Sequence, residues 1–463
     1  MGQKISELTA GSPAVGTDLL RVARSSGGGY VDRSVTVQSI LEQTNTVTQN
    51  ITVTGGDVLR FQDFEDGTNT VGTGTARTLA SLGYSNGSAA TQWPLTAAKW
   101  GSITASSTDY DTVVIQEAFE TLRNGTNRVR KLAAGNGAFV LNGGTIYVPS
   151  YKSGVSSNVD SQMFVFDGEG CRFRVTGSQT YAFSSDITDQ TEADNSCIDN
   201  RWRFGNFKIT GTGSNTAVRF GATRGAIIEF IEIDDFATGW QSGFLLNAVY
   251  NELCTVNCST QGVLIDKGWW TSAGYSTAGN QPMFMNCRFR TVGASEIGCK
   301  VVGADSTWFQ RCTVEGTDGA YGIYIDNSVT TVSKNARIDV LHAEIGSSGV
   351  YANAIIGVKG SDPFTMKATE VFWQGGSNVI LMESESTNGT NHIVLRDCLT
   401  NTNWKIKQIN TGSGQSSWDM KNVTLQGNPT SAADVRDTVG FPNIWATATV
   451  PTSNRVRFEP PMN

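Results

Sequence analysis

A repeat between residues 227 and 427 constrains this chain more than any other feature. Five short segments (Ile231–Asp235, Cys254–Cys258, Trp308–Cys312, Ile338–His342 and Lys367–Val371) are each followed four residues later by a glycine: Gly239, Gly262, Gly316, Gly346 and Gly375. Three looser copies end at Cys287, Cys398 and Asn422. The eight anchors lie 23 to 30 residues apart, with a mean of about 27, inside the 20–50 residue window that marks solenoids. Counting back from an anchor, positions 0, −2 and −4 are mostly apolar or cysteine and positions −1 and −3 mostly polar, which predicts a strand buried on one face. By this count His342 points inward. A second strand is expected after many of the glycines, at Val263–Asp266, Ile323–Asp326 and Ile380–Glu383. Short strands, turn glycines and a drifting period predict a right-handed parallel β-helix over residues 137–427, one coil per repeat.

The composition agrees with this class. The chain has 51 glycines against 10 prolines and is only 17% charged, as expected where Asn, Ser and Gly close the loops. A net charge of −7 disfavours a nucleic-acid partner, and no apolar run is long enough to insert into a membrane. Of the eight cysteines, Cys258, Cys287, Cys312 and Cys398 occupy anchors, which predicts buried, reduced thiols and synthesis in a reducing cytoplasm. No cysteine–histidine spacing suggests a metal site, and no cofactor is expected.

Residues 1–45 read as a small module of two strands, Lys4–Leu8 and Leu19–Ala23, a turn at Gly27–Val31, and a strand from Val35 running into a helical turn. Its core is too small to be stable alone, so it must dock on something, either its own copies in an oligomer or a larger partner. Residues 46–136 read as a neck that includes a helix. Asp111 is placed to cap it, and Val114, Ile115, Ala118, Phe119 and Leu122 make an apolar stripe that would cover the open end of the first coil. Gly143 and Gly144 then turn the chain into Thr145–Val148, the expected first strand. Residues 151–226 are expected to hold early coils with strands at Met163–Phe166, Cys171–Val175 and Asn206–Thr210, and an acidic loop over 184–200. Residues 428–463 are expected to close the far end, with strands at 444–450 and 455–458.

Several of these motifs resemble a known family. Lys4–Leu8, Gly16–Leu20 and Thr36–Ile40 resemble the virion-anchoring segment of bacteriophage tail fibres and tailspikes. Gly74–Ala80, Asp109–Phe119 and Gly143–Pro149 come in the order seen at the entrance of tailspike β-helices, which is similar to the start of pectate-lyase-like proteins; the usual Lys-Asp-Phe-Gly-Ala is only echoed by Ala98–Gly101. The motif likeness covers roughly residues 1–150. It implies a homotrimer located in the virion tail and attached to a tail or portal-adaptor protein through Lys4, Ile5, Leu8, Leu19 and Leu20. It also implies a receptor- or polysaccharide-binding β-helix facing a bacterial surface glycan, with enzymatic depolymerisation by hydrolysis or elimination left open.

A β-helix has no activity of its own, so function rests on a site. The chain has two histidines, His342 assigned to the core and His392 to a surface turn, and no credible Ser–His–Asp set. Carboxylates remain as the candidate catalysts. Asp266 and Asp326 both end post-glycine strands two coils apart, which predicts a separation of about 10 Å. Glu370 and Asp397 share position −1 on consecutive coils, which predicts about 5 Å. The first pair is preferred because residues 266–282 form an unexpected loop rich in Gly, Ser and Thr. Its Trp269, Trp270 and Tyr275 either present flat faces to sugar rings or pack on a neighbouring subunit. Catalysis there would require one of the two acids to stay protonated near neutral pH. The alternative is a β-helical appendage that binds without cleaving.

Overall fold

The computed structural model describes residues 19–26, 29–36, 58–124, 131–148, 165–185, 203–266, 279–328, 334–360, 364–374, 379–387, 389–400, 404–410, 415–421 and 456–459. Strands β1 (Leu19–Ser26) and β2 (Gly29–Thr36) form an antiparallel hairpin of their own. The turn expected over Gly27–Val31 is therefore shorter, since Gly29, Tyr30 and Val31 already pair with Ser26, Ser25 and Arg24. Lys4, Ile5 and Leu8 lie outside the described residues. Leu19 and Leu20 open β1 and pair with Thr36 and Val35.

The other described strands join one continuous sheet in which each pairs in parallel with the strand one coil away. This arrangement is a parallel β-helix. It starts earlier than the sequence suggests, because β3 (Val58–Arg60), β4 (Lys131–Ala133) and β5 (Ala138–Leu141) precede β6 (Ile146–Val148). At the other end, Val456–Glu459 pairs in parallel with Trp418–Lys421, so the last described strand extends the solenoid. Ser184 and Ser185, expected in a loop, end the strand Tyr181–Ser185; the rest of the acidic loop, the 444–450 strand and Asn422 lie outside the described residues.

One turn sets the coil. Glu169, Asn206, Phe230, Glu252, Asn286, Arg311, Val340, Glu370 and Asp397 all have positive φ, between 51° and 63°. The pairing registers place them in a single column, one per coil. A single left-handed residue bends the strand sharply, and the step from Glu169 to Asp397 is eight coils of about 28 residues each.

This bend corrects the predicted alternation. Beside Cys312, Arg311 occupies the turn, Phe309 is fully buried, and Gln310 and Trp308 face outward. At this anchor, and at Cys258, Cys287, Val371 and Cys398, position −3 is therefore inward while −2 and −4 are outward, because the left-handed residue takes the place of one step of the pleat; at Asp235 the predicted alternation holds, with Ile231 and Ile233 buried. The inward column after the turn runs Cys171, Phe207, Ile231, Leu253, Cys287, Cys312, Leu341, Val371 and Cys398. His342 is thus one residue out of register: it pairs with Thr313 and Phe372 and is half-exposed, while Leu341 takes the core position. Cys258 is buried but stands further along its coil than Cys287, Cys312 and Cys398.

The core is columnar. Phe166, Phe204, Ile228, Tyr250, Phe284, Phe309, Ile338, Ala368 and Leu395 stack before the turn, all buried. Tyr250, Phe284 and Phe309 lie nearly parallel, with centroids 4.8 and 4.7 Å apart. That equals the strand spacing, so in-register coils bring ring onto ring without distortion.

Helices α1 (Asn86–Gln92), α2 (Pro94–Trp100) and α3 (Tyr110–Asn124) lie at the entrance. The stripe on α3 is buried at Val113, Val114, Ile115, Ala118 and Phe119, and Phe119 packs 5.3 Å from the Phe166 ring. Asp111 sits in the first turn of α3. There its carboxylate accepts the Val140 N–H at 2.9 Å and the Gly72 N–H at 3.3 Å, joining helix to strand. A side chain at Gly144 would strike the Trp100 ring, and one at Gly143 the Ser107 carbonyl, so this turn admits only glycine.

Candidate functional site

The post-glycine strands, Gln261–Asp266 and the stretch ending at Asp326, carry the candidate acids. Val263, Ile265, Ile323, Ile325, Ile356 and Val358 point into the core, so the alternate residues point out. Two outward columns run side by side. One is Asp266, Val302, Asp326, Lys359 and Glu385; the other is Leu264, Lys300, Tyr324, Gly357 and Glu383. Asp266 and Asp326 therefore share a face two coils apart, about 10 Å by strand spacing. Val302, only 6% exposed, lies between them. Asp326 accepts hydrogen bonds from Ser328 N at 2.9 Å and Ser328 Oγ at 2.5 Å. Trp269, Trp270 and Tyr275 lie outside the described residues. Glu370 and Asp397 are paired neighbours in the left-handed turn and both are exposed. His392 is exposed on the strand Thr390–Arg396, not in a turn, with Nδ1 2.8 Å from Ser417 Oγ.

Sequence reasoning missed the aromatic part of this face. The Tyr321 and Tyr324 rings stack at 4.5 Å, and the Tyr321 hydroxyl donates to Glu383 Oε1 at 2.7 Å. Both rings lie against Gly357, where a Cβ would come within 2.6 Å of each, so glycine admits the pair. Burial and the Glu383 contact hold the Tyr321 hydroxyl well above the ordinary phenol value, so it stays a donor. The Lys359 ammonium hydrogen-bonds Glu385 at 2.9 Å, which raises its pKa. The available signal was Tyr321-Gly-Ile-Tyr324 immediately before Asp326, a tyrosine pair on the very strand chosen for its acid.

Flat rings flanked by carboxylates, an ammonium and hydroxyls suit a polyhydroxylated ligand, where apolar faces alternate with hydrogen-bonding groups. The arrangement is less suited to hydrolysis between Asp266 and Asp326, because an isopropyl group stands on the line where a water and a glycosidic bond would have to sit. Among the described residues no cluster of three or more His, Cys, Asp or Glu is disposed to hold a metal. No described helix is long and apolar enough to cross a membrane.

The fold defines the chain as a parallel β-helix protein. No family model matches it, and no curated protein does. Among solved structures it is similar to PfbA, a surface adhesin of Streptococcus pneumoniae, at 10% identity and a TM-score of 0.40, over 78% of this chain and 92% of that one.

Proposed function

We propose that the chain is a bacteriophage tailspike that binds a bacterial surface polysaccharide during host adsorption, without cleaving it. The single observation that carries the binding reading is the outward tyrosine pair Tyr321–Tyr324 beside Asp326 and Lys359. The tailspike reading is supported by the motif resemblance over residues 1–150. On this reading residues 1–45 attach a homotrimer to a tail or portal-adaptor protein, and Trp269, Trp270 and Tyr275 bind the same glycan. The position of Val302 favours binding over hydrolysis.

The test is binding to immobilised host polysaccharide. Tyr324→Ala is expected to weaken binding at least tenfold. Asp266→Asn and Asp326→Asn are expected to change it only a few-fold, with no reducing ends or unsaturated sugars released by any form. Release that disappears in either Asp variant would reinstate the depolymerase. Light scattering showing a stable monomer, or virions that keep the protein after deletion of residues 1–45, would overturn the tailspike assignment.

A further inference from the structure

A second groove lies on a different strand of the coils, just before the left-handed turn. Its cavity is about 460 Å³, within the range of small-ligand sites, and it is lined by Trp308, Gln310, Arg337, Asp339, Thr369 and Lys367, with Val340 and Glu370 at the turn. Trp308, Arg337 and Lys367 form one column on three successive coils; Gln310, Asp339 and Thr369 form the next.

The side chains are locked to one another. The Trp308 indole N–H donates to Asp339 Oδ2 at 2.8 Å, and Arg337 Nε pairs with the same oxygen. The Arg337 guanidinium also lies over the Trp308 ring, 5.3 Å from its centroid. Asp339 is only 16% exposed, so its charge is spent within this triad, while Arg337 remains 53% exposed. With Nε engaged and one face on the indole, the terminal nitrogens of Arg337 form a fixed fork that matches a planar oxyanion. Lys367 is one strand spacing away, exposed, and in no ion pair among the described residues. Thr369 Oγ1 is buried with no hydrogen-bond partner among the described residues, a donor–acceptor that a ligand hydroxyl would satisfy. Glu370 at the rim supplies an acceptor for a further hydroxyl.

We infer that this groove is a binding site for a carboxylate-bearing sugar unit, held by the Arg337 fork and Lys367 with its hydroxyls on Thr369 and Glu370. The inference rests on the glycan-binding reading but uses none of the residues of the tyrosine face.

The experiment uses the full-length protein with alginate and colominic acid, each beside its carboxyl-reduced form, and a glycerol-phosphate polymer. At least one acidic polysaccharide is expected to bind, with a loss of at least tenfold on carboxyl reduction. Arg337→Gln should reproduce that loss, and Arg337→Lys should not rescue it, since an ammonium lacks the fork. Lys367→Gln, at an exposed position, should weaken binding several-fold without touching the fold. Binding that survives carboxyl reduction, or that is unchanged in both Arg337→Gln and Lys367→Gln, overturns the assignment. A preference for the phosphate polymer overturns the carboxylate class. If neutral glycans bind and only Tyr324→Ala removes that binding, the glycan reading stands and this groove falls. If none of these polymers nor host polysaccharide binds, both fall.

Discussion

Tyr321 and Glu383 are joined by a 2.7 Å hydrogen bond that ties together three coils of the solenoid, because Glu383 stands two coils beyond Tyr324 in its column. Glu383 is only 4% exposed, so the phenol is one of its donors in a dry setting. Tyr321→Phe should cost about 1–3 kcal/mol, the usual penalty for removing a hydrogen bond to a buried charged group. Urea unfolding is the measurement. A change in midpoint smaller than a mutation at a solvent-facing position such as Glu344 would show that the bond contributes nothing.

Asp111 makes stability at the entrance pH-dependent. Burial pushes its carboxyl up to about 6, outweighing the two backbone N–H donors and Arg77 at 3.9 Å. A folded-state value above the unfolded one means the native form binds more protons. The associated stability is therefore full below the ordinary carboxylate value near 4 and is lost as pH rises through about 6. A shift of this size corresponds to roughly 3 kcal/mol between the two limits. Burial also raises Asp109 and Glu117, in the same direction. Unfolding followed at pH 4 and pH 7 should show the native state less stable at pH 7 through these groups, and Asp111→Asn should flatten the difference. A steeper pH dependence in the variant would contradict the assignment.

The stacked rings should be the costliest place to cut the core. Phe284 is sandwiched between Tyr250 and Phe309 and fully buried. Phe284→Ala should destabilise by about 3–5 kcal/mol, since the flanking coils cannot close on the void without breaking their own register. Phe284→Leu should recover more than half of that loss in a chemical-denaturation series.

Val340 is the reverse case. A β-branched residue at φ 62° is strained, and elsewhere in the column the same conformation is held by Asn206 and Asn286, which tolerate that region. Val340→Asn should stabilise by about 1 kcal/mol. A lower midpoint for the variant would mean that the 39% exposed valine gains more from its contacts than the backbone loses.

The thiols should be inert. Burial pushes Cys254 and Cys398 up to about 11 and Cys258 up to about 12. Cys287 donates to the Tyr250 carbonyl and Cys312 to the Phe284 carbonyl, one coil apart. Iodoacetamide at pH 8 should label the described cysteines only after denaturation. Rapid labelling of Cys287 in the folded protein would show that these coils open.

The repeat was legible because a solenoid writes its period directly into spacing, and the second strands at Val263–Asp266 and Ile323–Asp326 were found where expected. The register was only half legible. A single left-handed residue carries no consistent signature when it can be Glu, Asn, Phe, Arg, Val or Asp, so an alternation counted across it put Trp308 inside and His342 in the core. The acid column could be inferred, since Asp266 and Asp326 follow the same strand. The two tyrosines beside Asp326 were visible in the sequence, but their stacking was not, because it depends on Gly357, which belongs to the next coil and lies 33 residues beyond Tyr324. The Trp308 groove was hidden for the same reason: Asp339 and Lys367 reach it from other coils.

The left-handed column has a consequence for how such a surface can change. Nine residues stand outside the core at one strand spacing from each other, each placed by the same left-handed backbone geometry. The row already mixes acids, amides, an arginine and apolar residues on one unchanged frame. The chemistry of this surface can therefore be rewritten one coil at a time, along the axis, while the stack of rings behind it remains untouched.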